Sequence, residues 1–208
     1  MTRTLPPPTS HTSSSCFPSS SGGGRPRLRL SEDLITSATR HLTDRDRYTC
    51  SLLSEHRVLT TDQIAGVAFD SPISARHRLA KLYRLRVLDR FRPFRKVGTA
   101  PNHWVLDAVG AMVVAAERGV EVEELHWRRD RALGLAGSTQ LAHRVGVNGF
   151  FCSLVGVARR AEDAELRLWW PERRCRATWG EVVRPDGYGV WAEAGTEVAF
   201  FLEYDRGT

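Results

Sequence analysis

An α+β fold is what this sequence predicts, and three observations carry the prediction. Three short amphipathic segments follow one another between residues 44 and 86, two strand-like segments at 88–92 and 103–106 face each other across a Pro- and Gly-containing stretch, and a long amphipathic segment near 140–160 precedes three further strand-like runs. The third amphipathic segment and the two strands after it also carry one concentration of positive charge.

Each element has its own justification. The first helix is expected from about Asp44 to His56, with Thr43 or Asp44 as cap and Tyr48, Leu52 and Leu53 on one face. Val58 to Ala65 reads as a short second helix in which Thr60 or Thr61 accepts backbone amides and Ile64 and Val67 point inward. Phe69-Asp70-Ser71-Pro72 is a turn, with Ser71 at the cap of a third helix and Pro72 at its first position, where the missing amide costs nothing. Ala75, Leu79, Leu82 and Leu85 recur at helical spacing and form its buried stripe. Leu88 to Arg92 alternates with strand period, and His103 to Leu106 can return antiparallel to it. Asp107 caps a further helix from Ala108 to Arg118, ended by Gly119, whose Val109, Met112, Val113 and Ala116 are expected to pack against the hairpin. Three helices followed by a hairpin are the order of a winged helix-turn-helix.

Charge adds a function to that order. From Ser71 to Lys96 there are nine basic side chains and one acidic one, Asp89, so the segment is about +8 while the whole chain is +6 and the remainder sums to about −2. Of 30 basic residues only Lys81 and Lys96 are lysine, so a scattered arginine carries little information and the clustering carries much. Focused positive potential suits a polyanion, because neutralising phosphates releases counterions and supplies most of the affinity for nucleic acid. Arg76, His77, Lys81 and Arg84 fall on the outward face of the third helix, the position of a recognition helix in a major groove, with Arg78 nearer the core edge. Arg90 and Arg92 lie on the hairpin, and Arg95 and Lys96 at its tip, within reach of phosphate.

The second half reads differently. Residues 121–137 are charged and small and read as a helical or loop connector, and an amphipathic helix follows from Gln140 to about Arg160, capped by Ser138. Strands are expected at 166–170, 182–191 and 198–204, giving αβββ. Period two along the last strand puts Phe201, Glu203 and Asp205 on one face, and a short meander brings Asp186 beside Glu203. Three converging carboxylates would suit Mg²⁺, with Asp186 and Glu203 as ligands and Asp205 as the third catalytic residue. The arrangement resembles the PD-(D/E)xK nuclease signature of restriction-endonuclease-like folds, with Asp205 standing where that superfamily has its lysine. This expected domain is incomplete, since such folds continue with another helix and strand. The expected organisation is therefore residues 1–42 as a disordered Pro-, Ser- and Gly-rich terminus, 43–120 as the winged helix-turn-helix and 121–208 as the nuclease-like region.

Several blocks together resemble the bacterial replication-relaxation family. They are Leu52 to Ile64, Ala75 to Tyr83, Leu88 to Pro93, His143 to Asn148, Arg184 to Tyr188 and Phe201 to Thr208, and the resemblance covers about residues 47–208. It implies an accessory protein of plasmid or integrative-element replication and DNA relaxation with a DNA-binding winged helix, in a shortened form.

Composition sets the outer limits. Cys16, Cys50, Cys152 and Cys175 form no CxxC pair and have no His at zinc-ligand spacing, so free thiols in a reducing cytoplasm are expected. The longest apolar run, about Ala108 to Ala116, is roughly half of the ~20 residues a membrane span needs, so no transmembrane helix and no membrane partner is expected. The leading expectation is a protein that binds double-stranded DNA in plasmid or mobile-element replication and relaxation, alongside other replication or relaxation proteins, without catalysis of its own and with no cofactor needed for binding. The alternatives are a Mg²⁺-dependent nuclease or nickase using Asp186, Glu203 and Asp205, and a winged-helix transcription regulator.

Overall fold

A computed structural model describes residue 36 and residues 39–180, 182–205 and 207. The expectation of a disordered terminus falls mainly on residues outside the described ones, as does Cys16. The fold is α+β, with two small antiparallel sheets, each partly covered by helices.

The first half follows the order α1 (Asp44–His56), β1 (Leu59–Thr60), α2 (Thr61–Ala68), α3 (Pro72–Arg84), β2 (Leu88–Phe91), β3 (His103–Leu106) and α4 (Ala108–Arg118). Thr43 starts α1 through a reciprocal capping box with Asp46. The buried face of α1 is Asp46, Thr49, Cys50, Leu52, Leu53 and His56, whereas Tyr48, expected inside, is exposed. The helix is rotated because the Asp46 carboxylate is turned inward to meet Arg78. Leu59 and Thr60 do not join the second helix as expected. They pair with Trp104 and His103 as an edge strand, and Thr60 then caps α2 in a second capping box with Gln63.

The sheet order is β1-β3-β2, with Leu88 opposite Leu106 and Phe91 opposite His103. Strand alternation predicts one wet face for this sheet, yet all four residues of β3 are buried, and Leu88 and Asp89 are buried together. The reason lies in residues 121–137. The expected connector takes its helical form, as a 3₁₀ turn (Val122–Leu125), the short α5 (Arg129–Gly134) and a second 3₁₀ turn (Leu135–Gly137), and α5 packs on the second face of the hairpin. Leu133 and Leu135 close over Val58, Val105 and Leu141, while Trp104, Leu88 and Leu106 face the helical core with Ile64, Leu79 and Leu82. Helix α4 packs mainly on α1 rather than only on the hairpin, with Met112 half-buried and Ala116 exposed. Gly110 permits its close approach, since a Cβ there would lie 2.2 Å from the Val87 carbonyl oxygen.

The second half comprises α6 (Leu141–Ala158), β4 (Ala164–Pro171), α7 (Glu172–Trp179), β5 (Gly187–Glu193) and β6 (Thr196–Leu202), with sheet order β4-β5-β6. Helix α7 corrects the expected αβββ order to αβαββ. It buries Cys175 and lays Trp179 against Tyr188 and Phe201 on one face of the sheet. The other face receives Phe151 of α6, stacked on Trp169 and Phe200. Contrary to the expectation of no transmembrane helix, α6 is apolar and long enough by length and composition to cross a membrane, although His143, Arg144 and Asn148 break its apolar run. Its Leu141, Val147, Asn148, Phe151 and Cys152 are buried inside the protein, and it packs on α2 and β4 as a core helix does. Cys152 lies in the same buried cluster as the α1–α3 core, and Gln63 of α2 donates to the Val145 carbonyl of α6 at 2.7 Å.

Candidate nucleic-acid interface

Helix α3 is built to present one face. Ser71 accepts from the Ile73 amide and Pro72 occupies the first turn, so one free amide is met and another is missing at the mouth of the helix. Ala75, Leu79 and Leu82 are fully buried, which rotates Arg76, His77, Lys81 and Arg84 into solvent. Arg90, Arg92, Arg95 and Lys96 are likewise exposed on the hairpin.

The structure sorts the nine basic residues by what they touch. Two are spent internally. Arg78 donates from Nε to Asp46 Oδ1 at 2.9 Å and forms an ion pair through its terminal nitrogen with Asp46 Oδ2, while Arg86 is buried with Nε 2.6 Å from Asp107 Oδ2. The remaining seven are exposed, and none of Arg76, Lys81, Arg84, Arg95 or Lys96 has a carboxylate within ion-pair distance among the described residues. Asp89, the one acid of the segment, is buried and paired with Arg129 of α5 at 2.6 Å. Its charge is therefore withdrawn from the exposed face, which is more uniformly positive than the sequence total implies. Arg92 is oriented by Asn102 Oδ1 at 2.8 Å, and Arg90 lies over the Tyr83 ring at 4.8 Å.

Apolar side chains flank the basic residues of the tip. Phe94 and Val97 are 89% and 88% exposed, and Ile73 at the start of α3 is 64% exposed. Exposed apolar groups next in the chain to exposed basic residues are the residue types by which proteins wedge base steps and meet thymine methyls in DNA grooves. Their proximity to Arg92, Arg95 and Lys96 in the sequence could have pointed to them.

The carboxylates behave otherwise. Strand β6 ends at Leu202, so the alternation expected to align Glu203 with Asp205 does not reach them, and both are exposed. Gly187 pairs with Leu202, which does bring Asp186 alongside the chain at 203–204. There its Oδ2 accepts the Tyr204 amide at 2.8 Å, and its Oδ1 lies 2.9 Å from His143 Nε2 on α6. Tyr204 sits over Gly146, where a Cβ would lie 2.2 Å from the ring. Asp205 accepts from the Gly207 amide. Among the described residues no group of three His, Cys, Asp or Glu side chains is placed to hold a metal ion. The donor set Asp186, Glu203 and Asp205 thus does not fit Mg²⁺, because Asp186 is engaged as a clamp on the terminal segment while the other two point to solvent. Cysteine chemistry is no better supported. Cys50, Cys152 and Cys175 are buried free thiols, and burial pushes each above its ordinary pKa, Cys152 to about 12.

No curated protein and no solved structure matches the chain. A family model described as replication-relaxation matches residues 51–208, a span that includes α2, α3, the basic hairpin and the whole of the second sheet. By that match the chain belongs to the replication-relaxation family and has a role in replication or relaxation.

Proposed function

We propose that this protein is a double-stranded-DNA-binding accessory factor of plasmid or mobile-element replication and DNA relaxation, and that it does no phosphodiester chemistry of its own. The observation that carries this reading is the unpaired basic face on α3 and the hairpin after α3. The order α1-β1-α2-α3-β2-β3 with sheet order β1-β3-β2 supports a winged helix-turn-helix, in which α3 enters the major groove and the β2–β3 hairpin is the wing. Arg76, His77, Lys81 and Arg84 read base edges in this arrangement, while Arg90, Arg92, Arg95 and Lys96 grip the backbone.

The absence of catalysis in this reading is supported by the engagement of Asp186 with His143 and the Tyr204 amide, while Glu203 and Asp205 are exposed. A nuclease would need them convergent, and a transcription regulator would use the same DNA-binding face with a different target.

Duplex binding measured across salt concentrations tests the reading. Neutralisation of about five phosphates gives a log–log slope near −4 to −5. A flat salt response would remove DNA from the function.

A further inference from the structure

A cavity of about 570 Å³ opens between the C-terminal end of α1, the first turns of α6 and the start of α7. It shares no residue with the α3–hairpin face. Arg57, Arg144, Arg173 and Arg176 line it, together with His56, His143 and Asn148. Arg57, Arg144 and Arg173 also line an adjoining cavity with Arg131, so the cationic cluster spans both.

The acids in the cavity do not balance this charge. Asp186 is held by His143 and the Tyr204 amide, and Glu55 meets Arg173 at 3.4 Å, which leaves Glu172. Arg57 and Arg144 have no carboxylate within ion-pair distance among the described residues, and Arg144 Nε is buried with no hydrogen-bond partner. His56 is 3% exposed, and its Nδ1 is also buried without a partner. Orphaned buried polar atoms cost stability unless something meets them. Burial first, and then the neighbouring charges of Arg173 and Arg144, hold Arg57 below the usual arginine pKa against the opposing charge of Glu55.

The backbone adds an independent mark. Arg57 ends α1 with φ 73° and ψ −41°, a conformation suited to glycine, and holding a long cationic side chain there costs strain. Glycine would close the helix at lower cost, so the side chain is the feature the strain preserves.

We propose that Arg57, Arg144 and Arg173, with Arg176 at the rim, bind a phosphate group carried either by a free nucleotide or by a DNA strand. Guanidinium groups suit this ligand because their planar forks match phosphate oxygens, and a cavity of this size accepts a nucleotide.

Thermal unfolding of the full chain at pH 7.5 and matched ionic strength provides the test, using sodium phosphate, deoxyadenosine monophosphate or deoxyadenosine against sodium chloride. A saturating rise in Tm with phosphate and the monophosphate, absent with the nucleoside, identifies a nucleotide source. If neither raises Tm, a strand source requires Arg173→Gln and Arg57→Gly to weaken duplex binding about tenfold or more. Arg57→Gly is the discriminating variant, because it relieves the positive φ. Its Tm in chloride should be unchanged or higher while the phosphate response or the extra duplex affinity is lost. Arg173 is half exposed, and its substitution provides a second variant that leaves the core intact. The proposal falls if both variants keep the wild-type response to phosphate, monophosphate and duplex. Loss of duplex binding on substituting α3 or the hairpin leaves this site standing, and survival of the phosphate response there separates the two readings.

Discussion

Arg78, on the same helix as the exposed Arg76, Lys81 and Arg84, clamps Asp46 of α1. Two of its guanidinium nitrogens meet the two carboxylate oxygens, and one of them also donates to the His41 carbonyl at 2.7 Å. Burial raises the Asp46 pKa, but the Arg78 and Thr43 hydrogen bonds outweigh it and hold the carboxyl below 3.8. This depressed pKa gives stability that is complete above the unfolded value near 3.8 and lost as pH falls through the lower folded value. Asp46→Ala should cost about 1–3 kcal/mol, because it takes the partner from the partly exposed Arg78 guanidinium and removes one half of the capping box. Urea unfolding checks it. Arg78→Ala should likewise lower stability while leaving the salt slope of duplex binding unchanged, which separates it from its neighbours.

Those neighbours should fail in two distinct ways. Arg76→Ala or Arg84→Ala should cost about 1–3 kcal/mol on the preferred sequence and less on random DNA, so that the specificity ratio shrinks. Arg95→Ala or Lys96→Ala should weaken all sequences alike and lower the salt slope by about one. Anisotropy titrations at two salt concentrations on specific and random duplexes decide between these patterns. Unchanged affinity on both duplexes for the α3 substitutions would mean that α3 is not the recognition helix.

The exposed apolar side chains of the tip make a separate prediction. Phe94→Ala removes a solvent-facing ring, so its effect on unfolding should stay within about 0.5 kcal/mol. Duplex affinity should fall with little change in salt slope, because no phosphate contact is removed. An unaltered affinity would mean that Phe94 touches no base step.

His56 should make the protein sensitive to mild acid. Burial, aided by the charge of Arg173, pushes its pKa down from 6.5 to about 3, and its ring stacks on Trp169 at a 3.7 Å centroid separation. Between those values the unfolded chain binds a proton that the folded chain refuses, so stability is complete above about pH 6.5 and falls as pH drops toward 3. The loss between pH 7 and pH 5 should be about 2 kcal/mol from this group. His56→Phe keeps a ring against Trp169 and should flatten that part of the pH profile. Parallel wild-type and variant profiles would contradict the assignment.

The carboxylates should part company. Asp186→Ala should release the terminal segment, costing about 1–3 kcal/mol and speeding amide exchange at Tyr204, whereas exposed Glu203→Ala should be near neutral for stability. A supercoiled plasmid should stay intact with Mg²⁺ or Mn²⁺. Metal-dependent nicking that disappears in Glu203→Ala would overturn the non-catalytic reading.

Local chemistry determined much of this protein. The Ser71-Pro72 start of α3, the stripe of Ala75, Leu79 and Leu82, and the Asp107 and Gly119 limits of α4 are all observed, because each depends on residues within a turn or two of one another. The exposure of Arg76, Lys81 and Arg84 follows from the same periodicity. What only the tertiary structure decided are the contacts made across long separations. The 40-residue separation between Asp89 and Arg129 hides the pairing that cleans the basic face of its one acid, and the inward turn of Asp46 toward Arg78 is what exposes Tyr48. Alternation would align Glu203 with Asp205 on a strand that reached them, but β6 ends at Leu202, and beyond it Asp186 accepts the Tyr204 amide. Helix α7 is not legible in the sequence, because it holds one buried residue, Cys175, and too few apolar positions to show a period. The arginines of the cavity lie apart in the sequence on α1, α6 and α7, and only packing brings their like charges together.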